Sequence, residues 1–318
     1  MADMNHRLHI TYGDFILGVS GEGFRYLFSY QRGGLDSLYK EGREWIYRIP
    51  GPTFWRAVTD NDRGNGFPLK SGMWMSADVF MHSRAVSVKV DGKEIPFPKA
   101  PENNRYTEKE YAQEIEIGFE HETITVPQTT VDVIYHVAAD GALRVTATYH
   151  GKSGLPELPV FGMRFIMPTA AEGYIYQGLS GETYPDRMTG GIPGVYEVDG
   201  LPVTPYLVPQ DCGVHMETEW LEIRRGSDLD NRSKDYRQTM LRIEQTDAPF
   251  AFSCLPYTAQ ELENATHQEE LPPERRTVLC IYGAVRGVGG IDSWGADVEE
   301  PFHISGEEDI SFSFQISG

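Results

Sequence analysis

The sequence predicts an all-β chain, a large antiparallel β-sandwich with few short helices. Three observations carry this. Short alternating segments recur between turn signals along the whole chain. No amphipathic helical period returns between them, which argues against a βαβ arrangement. The 33 glycines and 20 prolines are dispersed through the 318 residues rather than gathered in linkers. Residues 1–318 therefore read as one domain, of a length that large sandwiches reach. Such a chain can bury a sizeable core without metals or disulfides.

In chain order, Val86, Val88 and Val90 alternate with Ser87 and Lys89 and run into Asp91-Gly92, a two-residue hairpin signal. Residues 114–117 alternate Glu and Ile. Residues 131–137, then Asp140-Gly141, then 143–149 form the clearest hairpin pattern. The terminal run 310–316 turns its Ile and Phe to a core and its Ser and Gln to water. Helix is expected in two places. Thr258 and Glu261 fit a capping box that opens a helix over 258–267, and a second helix is expected near Met73 to Met81. The segment 225–235, with Gly226, Ser227, Asp228, Asp230 and Asn231, reads as an exposed, mobile loop.

With 28 Lys+Arg against 47 Asp+Glu, the formal charge is −19. Nucleic acid and anionic membrane are excluded as partners, because phosphate binding needs a basic footprint. A neutral substrate such as a sugar is compatible. Cys212, Cys254 and Cys280 are odd in number and widely spaced, which predicts reduced core thiols in a cytoplasmic protein. The opening residues 1–7 are polar and lack a signal peptide's apolar stretch. No apolar run approaches the ~20 residues of a membrane helix. The sequons at Asn231 and Asn264 are then expected to be inert.

Gly287-Val288-Gly289-Gly290 contains GxG, but Ile291-Asp292-Ser293-Trp294 follows where a dinucleotide fingerprint needs a third glycine opening a helix. Trp294 is open to two readings. It is either a flat apolar plate on a close-approaching backbone, suited to stacking on a sugar ring, or a core residue beside a sheet bulge. Asp60-Asn61-Asp62-Arg63-Gly64 fails as a calcium loop, since Gly64, Asn65 and Ser71 occupy positions five, six and twelve. It reads as a polar turn whose Asp side chains bond backbone amides, or as a mobile loop over a site. Glu182 and Asp186 flank Tyr184 and precede Arg187. Glycosidase carboxylates stand roughly 5–10 Å apart, but an ion pair of Arg187 with Asp186 or Glu182 is the favoured reading. His136, His150, His215 and His267 lack metal-ligand spacing, there is no GxSxG elbow, and no metal is expected to bind.

These motifs together resemble the carboxy-terminal domain of the large β-galactosidases of glycoside hydrolase family two. The likeness is closest to the separately encoded small subunit of the heteromeric, lactic-acid-bacterial type, and it covers essentially the whole chain. It rests on Phe54-Trp55-Arg56-Ala57-Val58-Thr59-Asp60-Asn61-Asp62-Arg63-Gly64, Gly181-Glu182-Thr183-Tyr184-Pro185-Asp186-Arg187, Tyr206-Leu207-Val208-Pro209-Gln210 and Gly289-Gly290-Ile291-Asp292-Ser293-Trp294, in the family's order. Ile291 departs from the second acid common there, and His215 from a frequent arginine.

The resemblance implies a β-supersandwich related to galactose mutarotases, with the catalytic carboxylates in a partner's TIM barrel and none in this chain. It implies that Trp294, with Asp292 and Ser293, completes the aglycone side of the partner's active site for lactose or a related β-galactoside. Residues 60–64 would form a lid. Glu182, Tyr184, Asp186 and Arg187 would be structural. Magnesium and sodium would bind in the large subunit, and no cofactor in this chain. The alternatives are a stand-alone mutarotase-like aldose epimerase, needing a His acid and a Glu base, and a carbohydrate-binding module using Trp294 as its platform.

Overall fold

The structure, a computed structural model, describes residues 7–100, 110–229 and 237–317. The opening heptad except Arg7, the sequon at Asn231 and residues 230–235 of the 225–235 segment lie outside the described residues. The chain opens with β1 (Leu8–Tyr12), β2 (Ile16–Gly21), β3 (Phe24–Ser29), β4 (Gly34–Lys40), β5 (Arg43–Glu44), β6 (Gly51–Thr53), β7 (His82–Val90) and β8 (Lys93–Glu94). It continues through β9 (Tyr111–Ala112), β10 (Glu114–Glu122), β11 (Thr130–Ala138), β12 (Leu143–Tyr149), β13 (Val160–Met167), β14 (Gly173–Leu179) and β15 (Pro193–Asp199). It ends in β16 (Val214–Thr218), β17 (Trp220–Arg225), β18 (Thr239–Gln245), β19 (Phe250–Leu255), β20 (Thr277–Val285) and β21 (Ile310–Ser317).

Among the described residues these strands form three antiparallel sheets. Their orders are β5-β4-β3-β2-β1-β9, β15-β14-β17-β18-β21-β12-β11-β10-β7-β8 and β16-β19-β20-β13-β6. The alternating segments read from the sequence are strands. Asp91 and Gly92 both have positive φ (49° and 73°) and join Val90 to Lys93, as a tight hairpin requires. Val137 pairs with Leu143, so Asp140-Gly141 sits within a longer connection than a two-residue turn.

On β12, Leu143, Val145, Ala147 and Tyr149 face inward, while all of β19 is buried. One core runs across the three sheets. Phe28 meets Tyr135 at 5.4 Å between the first and second sheets, and Phe161 meets Phe312 at 5.6 Å between the third and second. Cys212, Cys254 and Cys280 are buried and unbonded to one another.

Helices are short. The capping box of Thr258 and Glu261 opens α3 (Ala259–Asn264) as the sequence predicts, although the helix stops short of residue 267. The helix expected near residues 73–81 is not formed. A short helix, Phe67–Ser71, precedes one 3-10 turn, Gly72–Trp74, and hydrogen-bonded turns over residues 75–79 lead towards β7. Trp74 is drawn wholly into the core, 5.3 Å from Phe54, and its indole donates to the Pro156 carbonyl at 3.1 Å. Tertiary burial of one aromatic overrides the local helical pattern there. Among the described residues no helix is long and apolar enough to cross a membrane.

Candidate functional site

The segment 60–66 is a capped helix and not a polar turn, although one of its Asp side chains does bond a backbone amide, Asp62 accepting from Thr59 at 3.1 Å. Asp60–Asn65 is helical, Thr59 is its N-cap, and Thr59 and Asp62 exchange reciprocal bonds that satisfy two otherwise orphaned amides. Gly66 ends it in the left-handed conformation. Asp60 and Gly64 face solvent, and Arg63 reaches back to Asp60 at 3.0 Å. Asp62 points the other way and is 1% exposed.

Two buried guanidiniums meet Asp62. Arg56 Nη2 lies 3.1 Å from Asp62 Oδ2, and Arg286 Nη1 lies 3.3 Å from Oδ1. Arg56 and Arg286 are 1% and 0% exposed, so the cluster sits in a low-dielectric interior where an unpaired charge is expensive. Each arginine also reaches the Trp294 segment. Arg56 Nη2 donates to the Gly287 carbonyl at 2.9 Å, and Arg286 pairs with Asp297. Arg286 additionally lies 4.1 Å over the Phe67 ring.

The Tyr-Pro motif completes the clamp. Asp186 accepts from the amides of Val288 and Gly289, the latter at 2.8 Å, while Arg187 donates to the Gly289 carbonyl. Asn61 donates to the Val288 carbonyl at 2.9 Å. Neither ion pair expected of Arg187 is present. Arg187 and Asp186 instead hold backbone about a hundred residues away, and Glu182 accepts from Thr204 at 2.5 Å. Asp186 is thus committed to amides, which removes it from a glycosidase pair with Glu182. The polar groups of residues 287–289 therefore have fixed partners at Arg56, Asn61, the Asp186-Arg187 step and Phe302, whose carbonyl accepts from the Gly287 amide at 3.0 Å.

Beyond this base the loop projects. Trp294 is 92% exposed, so it is not a core residue. Asp292 accepts from the amides of Trp294 at 2.8 Å and Ala296 at 3.1 Å, which shapes the turn, and Ser293 faces solvent. The loop lies directly on the 60–65 helix. A Cβ on Gly295 would stand 2.6 Å from the Gly64 carbonyl oxygen, and Gly295 has φ +84°, so glycine is required at that crossing. Ile291 on this loop and Leu69 on the next helix are also strongly exposed.

Tyr184 is buried and donates to Asp211 Oδ2 at 2.8 Å. Burial pushes the Asp211 carboxyl up to about 7, against the opposing pull of Arg56 and the Tyr184 bond. His215 is a structural residue. Its Nδ1 meets the Gly181 carbonyl at 2.9 Å, so that nitrogen donates, and Nε2 is then left to accept from Tyr174 at 2.9 Å. Burial pulls its pKa down to about 4, holding it neutral. His267 is exposed and faces Glu270.

The sequence singled out Trp294, Asp292, Ser293, residues 60–64 and the Tyr-Pro motif, and the structure gathers the last two against the base of the tryptophan loop. It did not single out Arg56, Arg286, Asp297 or Asp211. Their one signal was position, since Arg56 shares the motif of Asp62, and Arg286 and Asp297 bracket the glycine loop.

Fold and site together define an antiparallel β chain that presents a clamped tryptophan loop. The chain belongs to the β-galactosidase small chain family, whose model matches residues 20–316. It is 62% identical to a β-galactosidase small subunit of Latilactobacillus sakei over the full length of both. It is 30% identical to a β-galactosidase of Streptococcus thermophilus, covering 97% of this chain and 27% of that protein. A β-galactosidase of Halalkalibacterium halodurans is 32% identical over 98% of this chain and 28% of its own length. The chain thus spans about a quarter of those longer relatives. Among solved structures, a putative aldose 1-epimerase of Escherichia coli K12 aligns with 97% of this chain and 98% of its own at 12% identity and a TM-score of 0.43, too loose to carry an argument about the site.

Removing Asp62 leaves two buried guanidiniums short of a counter-charge, so Asp62→Ala is expected to cost about 3–5 kcal/mol in urea unfolding. The Asp211 carboxyl titrates near 7 when folded, against 3.8 for the ordinary group, so the folded state holds its proton more tightly. That contribution is fully present below about 4 and is lost as pH rises through about 7. Melting temperature measured across this window should fall less steeply in Asp211→Asn than in the parent. An unchanged slope would place the titration elsewhere.

Proposed function

We propose that this chain is the small subunit of a heteromeric retaining β-galactosidase acting on lactose or a related β-galactoside. The observation that carries the reading is the loop at 287–297, fixed at its base by Arg56, Asn61, Asp186-Arg187 and Phe302 and exposing Trp294 at its tip. An aromatic plate held this way costs little further ordering when a sugar ring stacks on it. Stacking contributes about 0.5–1.5 kcal/mol beyond burial. Such a contact positions the leaving sugar and does no covalent chemistry.

The two carboxylates of retaining hydrolysis belong to the large subunit, one as nucleophile and the other as acid and then base. Asp292 shapes the loop through the Trp294 and Ala296 amides, which leaves Ser293 and the indole as the groups facing substrate. The helix at 60–65 forms the lid. Because Asn61 and Asp62 tie it to the loop base, lid and tryptophan act as one unit. Exposed Ile291 and Leu69 give the large subunit an apolar face to cover. The family's magnesium and sodium ions are assigned to that partner. The buried free thiols fit the reducing cytoplasm. The epimerase reading would need a free histidine acid, and both ring nitrogens of His215 are occupied.

Hydrolysis of a chromogenic β-galactoside is expected to be absent with this chain alone and to appear on mixing with the barrel-bearing subunit. Activity of the chain alone would overturn the assignment of the carboxylates. In the assembled enzyme, Trp294→Leu should raise KM for lactose about two- to twelvefold, the equivalent of one stacking contact. Assembly, followed by gel filtration, should be unchanged. Loss of assembly would make Trp294 an interface anchor instead.

A further inference from the structure

A cavity of about 190 Å³ opens between the 203–210 segment, α3 and the 268–274 segment. Neither the clamp nor the tryptophan loop uses it. For scale, a cavity of roughly 150 Å³ holds one benzene ring, so this one accommodates a single six-membered ring. Its walls are mixed. Val203, Leu262 and Leu271 supply apolar surface, and Tyr206, Tyr257, Gln210 and Glu274 supply polar atoms.

Two of these polar side chains keep bonding capacity free. Gln210 is 7% exposed and its Oε1 accepts from the Asp60 amide at 2.7 Å, but its Nε2 has no partner among the described residues. Tyr257 is 9% exposed and its hydroxyl likewise has none. A donor and a hydroxyl on side chains more than nine-tenths buried, both lining one cavity, would be left unpaired by a purely apolar ligand, at a desolvation cost. An anion would face the Glu274 carboxylate and a chain of net charge −19. The ligand that satisfies all of these walls is neutral, ring-shaped, apolar across its C–H face and hydroxylated at its edge.

We propose that this cavity is a binding subsite for one neutral pyranose, separate from the Trp294 loop and coupled to the lid helix through the Gln210–Asp60 bond. Tyr257 and Gln210 Nε2 bond ring hydroxyls, Glu274 accepts from another, and Tyr206 with the aliphatic wall packs on the ring face. The subsite does not depend on the catalytic reading above, and the two fail separately.

Isothermal titration calorimetry of the full chain with galactose, glucose and lactose as probes tests this. At least one probe should bind in one-to-one ratio with a millimolar Kd. Loss of one neutral hydrogen bond in Tyr257→Phe should weaken it about two- to twelvefold. Trp294→Leu should leave it unchanged. If Tyr257→Phe melts well below the parent, Glu274→Gln, at an exposed carboxylate, replaces it with the same expected weakening. No heat from any probe up to roughly 100 mM, a free energy too small for a built site, would overturn the subsite. So would binding that survives these cavity variants intact, or binding that disappears in Trp294→Leu, which would make the tryptophan loop the platform.

Discussion

One carboxylate sets the geometry of the site. Asp62 stands between the buried guanidiniums of Arg56 and Arg286, and all three side chains are shielded from water. Taking such charges into the interior costs several kcal/mol per ion, and good geometry with further bonds must offset it. Here the further bonds go to the Gly287 carbonyl and to Asp297, both in the segment that carries Trp294. A six-residue helix has little stability of its own. The helix at 60–65 exists because its N-cap box and this ion cluster hold it. The loop beside it has glycine at its turns and no regular strand, and it is ordered by the same cluster. Neither segment can be repositioned without the other unless a buried charge is exposed.

That shared anchor explains how a residue as exposed as Trp294 is held in place. Its side chain has no packing partner to fix it, so the backbone beneath must be fixed instead. Asp186 and Arg187 do this from the Tyr-Pro motif, and Asn61 from the helix. Tyr184, buried under the same motif, connects this base to Asp211 and the Gln210 segment. An aromatic surface ordered before a ligand arrives loses less freedom on binding. Under the proposed function, a chain that presents such a surface to a partner's chemistry gains from that arrangement.

How much of this was legible in the sequence follows from the range of the interactions. The period-two segments and the Asp91-Gly92 turn report local geometry, and they gave strands and a hairpin. The Thr258–Glu261 box is a three-residue relation and marked α3. The equivalent relation at Thr59 and Asp62 was obscured because Asp, Asn and Gly crowd that segment and read as a turn. The expected helix at 73–81 failed because Trp74 is claimed by the core. Asp186 and Arg187 looked like an ion-pair turn, since their true partners are backbone groups a hundred residues on, which no local pattern signals. The exposure of Trp294 could not be decided from its neighbours at all. The resemblance pointed outward, and Trp294 is 92% exposed.

The central claim is that the 60–65 helix and the 287–297 loop form one cooperative unit anchored on Asp62. Native-state hydrogen exchange of Asp62→Asn tests it most directly, because amide protection reports local opening residue by residue. The account predicts that protection falls together, and to a similar extent, in the helix and at Val288 and Gly289, while β11 and β12 keep theirs. Loss confined to the helix, with the loop amides still protected, would contradict it.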